Sequence, residues 1–306
     1  DQQTLQDWIN ESRSLVFFGG AGVSTESGIP DFRSTGGLYN QTYDYPPETI
    51  LSHEFFEESP REFYRFYRDK MLCLTAKPNV AHRKLAELEA AGILSAVITQ
   101  NIDGLHQAAG SRNVLELHGS VHRNYCQRCG KFFTAEEILH SEGVARCSCG
   151  GIVKPDVVLY GENLDQRTLR LSIEALEAAD CVIVGGTSLA VYPAAGLLRY
   201  YTGDRLVLIN KSPTPYDDAA DLRISGPRFW DKSPFHLAGG SPAYENGFQP
   251  KVYNHRIILP VGHCRRGLHH HGRGEDPGRG GSGGEGPVDS AAFYLGVCHC
   301  LHPESP

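Results

Sequence analysis

Four short apolar runs constrain this chain most: Leu15-Val16-Phe17-Phe18, Ala96-Val97-Ile98, Cys181-Val182-Ile183-Val184 and Leu206-Val207-Leu208-Ile209. None alternates apolar with polar residues, so each predicts a strand covered on both faces. Helical segments lie between them. Val80 to Ala91 carries Leu85 and Leu88 on one face, with Asn79 as N-cap and Gly92 as the stop. Leu169 to Ala179 places Leu169, Ile173 and Leu176 at helical spacing. Strands alternating with helices predict an α/β fold, a doubly wound Rossmann-like parallel sheet.

Composition excludes some functions. With 29 Lys+Arg against 36 Asp+Glu the net charge is −7, which disfavours nucleic acid as a partner through bulk charge. Cys181 to Leu198 runs 18 residues without a charge. It contains Gly185-Gly186-Thr187-Ser188 and Pro193, however, which suit a strand, a turn and a helix start rather than a membrane span of ~20 apolar residues. Asp1 to Arg13 is polar and acidic, unlike a secretory signal. Together with cysteines that read as metal ligands, this predicts a cytoplasmic protein.

Two segments interrupt the α/β rhythm. Residues 34–76 are aromatic-rich, with Phe63, Phe66, Tyr67 and Met71 at helical spacing, and predict a helical insertion. Residues 120–154 hold four paired cysteines and little else that could build a core. The Rossmann-like domain then comprises 1–33, 77–119 and 155–227. Residues 228–306 contain 14 Gly, 8 Pro and 8 of the 14 His, without a helical or strand period. They predict a disordered tail or a reading-frame artefact. A metal-binding extension using His269-His270-His271, Cys298 and Cys300 is the alternative.

Four blocks carry chemistry. In Phe18-Gly19-Gly20-Ala21-Gly22-Val23-Ser24 a strand runs into small residues, allowing close backbone approach to a pyrophosphate at a helix N-terminus. Alone this is equally a tight turn. Its continuation, Ile29-Pro30-Asp31-Phe32-Arg33, sets an anion, an aromatic and a cation on one loop. Thr99-Gln100-Asn101-Ile102-Asp103 emerges from a strand's carboxyl end, where ligands bind in open α/β sheets, although a polar loop would read the same. His118, in Leu117-His118-Gly119, is either a structural histidine or a general base with a pKa near ~6.5. Finally, Cys126-Gln127-Arg128-Cys129 is followed after 17 residues by Cys147-Ser148-Cys149. Two close thiolate pairs make a four-sulfur zinc site with no open position, hence a structural one. The ribbon's five Arg/Lys against three Glu are too mild a balance to argue for nucleic acid.

These blocks, in this order, resemble the sirtuin family of NAD-dependent protein-lysine deacylases, bacterial members especially. Lys154-Pro155-Asp156-Val157-Val158-Leu159-Tyr160-Gly161-Glu162, Gly185-Gly186-Thr187-Ser188-Leu189 and Leu208-Ile209-Asn210-Lys211 extend the match, which runs from about Leu5 to Pro227. The resemblance implies that the acyl oxygen of a modified lysine attacks C1′ of the nicotinamide ribose, releasing nicotinamide, after which water yields free lysine and O-acyl-ADP-ribose. His118 would be the general base. Gln100 would contact the ribose, while Asn101 and Asp103, with Ile102, Ile29 and Ala21, would hold the carboxamide. Phe32 would shield the reactive carbon from water, and Arg33 would lie near the phosphates. Gly20, Gly22, Asp31, Gly186, Thr187, Ser188, Asn210 and Lys211 complete the implied cofactor site.

An acetylated protein or peptide would enter as an added strand between Val158-Leu159-Tyr160 and Leu189-Ala190-Val191. Sirtuins that prefer acidic acyl groups resemble one another in a Tyr-x-x-Arg pair. Here Tyr64 is followed by Tyr67 at the Arg position, which predicts acetyl over succinyl. Two other functions stay open: mono-ADP-ribosyl transfer, and a catalytically weak module that binds NAD or acyl-peptide. After Pro227 the family's terminal helix pattern does not return.

Overall fold

The computed structural model describes residues 2–32, 37 and 44–225. All of them fall within one contact unit, Asp1–Gly247. The expected roles of Arg33 and of the 228–306 tail lie outside the described residues. Among the described residues the strands are β1 (Leu15–Gly19), β2 (Leu94–Thr99), β3 (Val114–Glu116), β4 (Gly119–Cys126), β5 (Phe132–Phe133), β6 (Val153–Val157), β7 (Cys181–Gly185), β8 (Leu206–Asn210) and β9 (Leu222–Ser225).

Six strands form one parallel sheet in the order β3-β2-β1-β7-β8-β9. The four apolar runs are its four inner strands. Their lack of alternation has a direct cause, because successive residues feed two different cores. Phe17, Val97, Ile183 and Val207 face Leu5, Leu85 and Leu88 on one side. Val16, Phe18, Ile98, Val182, Val184 and Leu208 face Leu176, Leu197 and Leu198 on the other. Each such side chain contributes ~1.5–3 kcal/mol by leaving water. The edge strands β3 and β9 escape the sequence signal: one has three residues, and the other presents Arg223 outward.

Both predicted helices form. Val80–Ala90 is capped by Asn79, whose side chain accepts from the Ala81 and His82 N–H groups. Gln166–Glu177 begins three residues before Leu169, because the carboxylate of its N-cap Asp165 accepts the Thr168 N–H.

A second, antiparallel sheet has the order β5-β4-β6. Its core corrects the reading that the cysteine segment holds little to bury. Val121, Ile138, Ala145 and Val153 pack with Ile50, Phe56, Phe63, Tyr64, Phe66 and Tyr67, so ribbon and helical insertion share one hydrophobic cluster. Arg123 joins this module to the main sheet, with Nη1 2.7 Å from Glu116 and Nε 2.7 Å from Asp156. No helix among the described residues is long and apolar enough to cross a membrane.

Candidate active site

Strand order reverses at β1, which pairs with β2 on one side and β7 on the other. Parallel register aligns their carboxyl ends: Gly19 stands opposite both Thr99 and Gly185, and Thr99 opposite Glu116. Segments beginning at residues 20, 100, 117 and 186 therefore leave the sheet along one edge. A ligand crevice is expected at such a switch point. A cavity of about 870 Å³ occupies it.

The glycine turn is built for close approach. The Gly20 N–H donates to the Gly185 carbonyl at 3.1 Å and the Gly22 N–H to Gly186 at 2.7 Å. A Cβ on Gly22 would stand 2.8 Å from Gly186 Cα, and one on Gly20 2.7 Å from Thr187 Cβ. The segment after β1 differs from the expected helix N-terminus. The chain makes two short 3₁₀ turns, Ala21–Val23 and Thr25–Ser27, and leaves them through Gly28 at φ +84°. Asn79, the helix cap, also fastens this loop, donating to the Val23 carbonyl at 2.7 Å and Ser27 Oγ at 3.1 Å.

The polar loop after β2 is held by its neighbours. Ser24 Oγ donates to Asp103 Oδ2 at 2.6 Å and accepts from Asn101 Nδ2 at 3.1 Å. Ser24, fully buried, thus relays between two residues read as carboxamide partners, and sequence analysis missed it. A serine inside a glycine-rich turn carries no signal of that role. Gln100 Nε2 donates to Thr187 Oγ1 at 3.0 Å, and Asn210 Nδ2 to the Thr187 carbonyl at 3.0 Å. Three strand ends are thereby tied into one wall.

His118 follows β3, placed by the Leu117 N–H bond to the Thr99 carbonyl. Its Nδ1 lies 2.9 Å from the Gln100 carbonyl, which only accepts, so Nδ1 carries the proton and Nε2 the lone pair. Burial lowers its pKa, and the Gln100 bond opposes that shift only partly. A neutral imidazole facing the cavity is competent as a base at neutral pH.

Gly20, Ala21, Gly22, Ile29, Asp31, Phe32, Gln100, Asn101, Ile102, Asp103, His118, Gly186, Thr187, Ser188, Asn210 and Lys211 all line the one cavity, as do Val158, Leu159, Tyr160 and Val191. Four proposed substrate residues do not. Leu189 is buried in the sheet core and Ala190 is exposed away from the cavity. Tyr64 and Tyr67 are fully buried in the second core. The Tyr64 hydroxyl donates to the Val153 carbonyl, and Phe63 stacks on Tyr67 at 5.5 Å. The Tyr-x-x-Tyr spacing points both rings inward; one turn later, Lys70, Met71, Cys73 and Leu74 reach the cavity instead. Arg68 also turns away, with Nε donating to the Ile138 carbonyl and Nη2 to Ser141 and Gly143 of the ribbon.

The four cysteines converge. Their sulfurs all lie within 4.8 Å of one another, with Cys126–Cys149 at 3.4 Å and Cys129–Cys147 at 3.7 Å. Thiolates around zinc at 2.3 Å stand about 3.8 Å apart, so the cluster fits a tetrahedral ion.

Comparisons with known proteins agree with this architecture. A model of the Sir2 family matches residues 20–193. The chain is 60% identical over 225 residues to the NAD-dependent protein deacetylase of Clostridium acetobutylicum, covering 72% of this chain and 92% of that one. It is 45% identical to the NAD-dependent protein deacetylase of Staphylococcus aureus, covering 73% and 93%. A solved Sir2 complex with a p53 peptide and NAD+ superposes with a TM-score of 0.68 at 44% identity, covering 76% of this chain and 96% of that chain. Another, holding a deacetylated p53 peptide and 3′-O-acetyl ADP ribose, gives 0.70 at 42%, covering 76% and 99%. With the fold, the switch-point cavity and these matches in agreement, the chain belongs to the Sir2 family.

Proposed function

We propose that the protein is an NAD-dependent protein-lysine deacetylase that releases nicotinamide and O-acetyl-ADP-ribose. The observation that carries this reading is the convergence of His118, the 100–103 loop and the 20–22 turn on one cavity. NAD fits that cavity by its chemistry. Gly20 and Gly22 let the turn pack against Gly186 and Thr187, where a Cβ would clash, and they line the cavity with bare backbone that a pyrophosphate can approach. Asn101 and Asp103 offer a donor and an acceptor for a carboxamide. When bound, NAD supplies the electrophilic ribose carbon and the leaving nicotinamide.

The chain's own residues do the rest. His118 Nε2 accepts the proton of a ribose hydroxyl, while the Gln100 carbonyl fixes its ring. Gln100 is held by Thr187 beside the ribose position. Phe32 on the cavity wall excludes water from the reacting carbon. Gly20, Gly22, Asp31, Gly186, Thr187, Ser188, Asn210 and Lys211 bind the remainder of the dinucleotide. Cys126, Cys129, Cys147 and Cys149 hold one structural zinc ion.

The acetylated peptide docks along Val158-Leu159-Tyr160 on one side and Val191 on the other. The N–H groups of Val158, Leu159 and Tyr160 are already engaged by His118, Glu162 and Leu51 respectively. On that side the peptide therefore binds through its own N–H donors, to carbonyl oxygens. Acetyl is preferred over succinyl, because Tyr67 takes the Arg position and is buried, while the neighbouring Arg68 is held by the ribbon. The domain limits 1–33, 77–119 and 155–227 around the 34–76 insertion and the 120–154 ribbon, and a cytoplasmic location, belong to the same reading.

Incubation with NAD and an acetyl-lysine peptide, with products identified by mass spectrometry, tests the proposal. O-acetyl-ADP-ribose supports it. An ADP-ribosylated protein in its place supports mono-ADP-ribosyl transfer.

A further inference from the structure

The longest of the sequence motifs, Lys154 to Glu162, has supplied Val158, Leu159 and Tyr160 but no role for its two ends. The ends meet. Lys154 Nζ lies 3.0 Å from Glu162 Oε2, each side chain only 20% exposed. Both groups also grip the backbone between them. Lys154 Nζ donates to the Val157 carbonyl at 3.1 Å and the Pro155 carbonyl at 3.4 Å. Glu162 Oε2 accepts the Leu159 N–H at 2.9 Å, while the Glu162 N–H donates to the Leu159 carbonyl at 2.9 Å. The other carboxylate oxygen, Oε1, stands 2.9 Å from His53 Nδ1. The His53 N–H in turn donates to the Tyr160 carbonyl.

All of these bonds but the one to Pro155 end on the 157–162 turn, which leaves β6 and lines the cavity. Backbone bonds from Val158 to His118 and from Tyr160 to Leu51 satisfy part of this turn, and the two side chains satisfy the Leu159 N–H and the Val157 carbonyl. Charge-assisted bonds are about twice as strong as neutral ones, and here three converge on one carboxylate. The Val158 N–H bond to the His118 carbonyl connects the same turn to the catalytic base.

We propose that Lys154 and Glu162 are positioning residues for the acyl-peptide: paired across the turn, they hold Val158-Leu159-Tyr160 in the shape the substrate docks against, and His53 braces the carboxylate from outside. The inference rests on the docking reading under Proposed function. Neither residue contacts the reacting atoms, so the pair governs peptide affinity and leaves NAD binding alone.

Steady-state kinetics of Glu162→Gln, Lys154→Met and the double variant test it. Each single variant is expected to raise the acetyl-peptide KM about tenfold, the loss of one charge-assisted bond. The turnover number stays within about twofold of the parent and the NAD KM is unchanged, a split that general destabilisation would not produce. The double variant loses about the same factor as either single one, since the pair acts as a unit. His53→Ala, at a half-exposed position where folding is not at stake, is expected to raise the peptide KM two- to threefold. Peptide KM values unchanged in all of these, or an NAD KM that rises in parallel, overturn the proposal. Cross-linking of the parent protein by an acetyl-peptide that carries a photoreactive residue beside the acetyl-lysine separates the two layers. Cross-links to 157–162 together with unchanged KM values refute the positioning role alone. Absence of any cross-link there refutes the docking reading, and the positioning role with it.

Discussion

The His118 imidazole donates its Nδ1 proton to the Gln100 carbonyl 2.9 Å away, so the residue read as the base is oriented by the residue read as the ribose contact. One consequence concerns pH. Burial lowers the His118 pKa, which keeps the ring neutral, and basic, further into acid than a free imidazole. The acid limb of kcat/KM therefore falls below pH ~6.5. A pH profile with its acid midpoint above that value contradicts the assignment. His118→Ala is expected to lower deacetylation by ~10²–10⁴-fold while acetyl-peptide affinity, read by calorimetry, is retained.

The Ser24 relay makes a second prediction. Ser24→Ala removes the hydroxyl that joins Asn101 to Asp103, leaving the buried Asn101 amide and the half-buried Asp103 carboxylate without that partner. Such a loss costs ~1–3 kcal/mol. The NAD KM is expected to rise while the peptide KM holds. An unchanged NAD KM would separate Ser24 from the carboxamide site.

Metal removal should act through packing. Cys126 and Cys147 belong to the same cluster as Phe56, Phe63 and Tyr67, so the ion, once removed, takes the floor from the second core. Cys126→Ser, or treatment with a strong chelator, is expected to lower the Tm by ~10 °C or more, since each kcal/mol is worth about 2–4 °C in a domain of this size. A melting curve that chelation leaves unmoved would show that the thiolates carry no structural ion.

Two buried histidines set the acid limit of stability. The His82 and His106 rings pack 4.7 Å apart, and His106 has no hydrogen-bond partner for either nitrogen among the described residues. Burial lowers the His82 pKa to about 4 and the His106 pKa to about 3, the latter aided by repulsion from His82. Protons bind the unfolded chain first, so the folded state keeps its full stability above pH ~6.5. It loses roughly 1.4 kcal/mol per pH unit for each histidine as pH falls from there toward the folded pKa values. Chemical denaturation of His106→Leu at several pH values checks this. The variant should show a shallower acid loss than the parent, and equal slopes would exclude the pair.

Much of this fold is legible because the inner strands are buried on both faces. Four unbroken apolar runs give their positions, and parallel register then carries Gly20, Gln100 and Gly186 to one edge. The hidden part depends on contacts between distant segments. Tyr64 and Tyr67 have a spacing that fits a substrate reader equally well; only the ribbon packed against them turns both rings inward. Ser24 and the Lys154–Glu162 pair were silent for a similar reason, because a hydrogen-bond relay depends on which loops meet. The strands β3 and β9 are too short to show a period.

The most direct measurement is nicotinamide release by purified protein given NAD and an acetyl-lysine peptide, with and without His118→Ala. The account predicts one nicotinamide and one O-acetyl-ADP-ribose per lysine freed, and neither product at a comparable rate from the variant. Nicotinamide formed without lysine being freed, or turnover that survives loss of the imidazole, would contradict it.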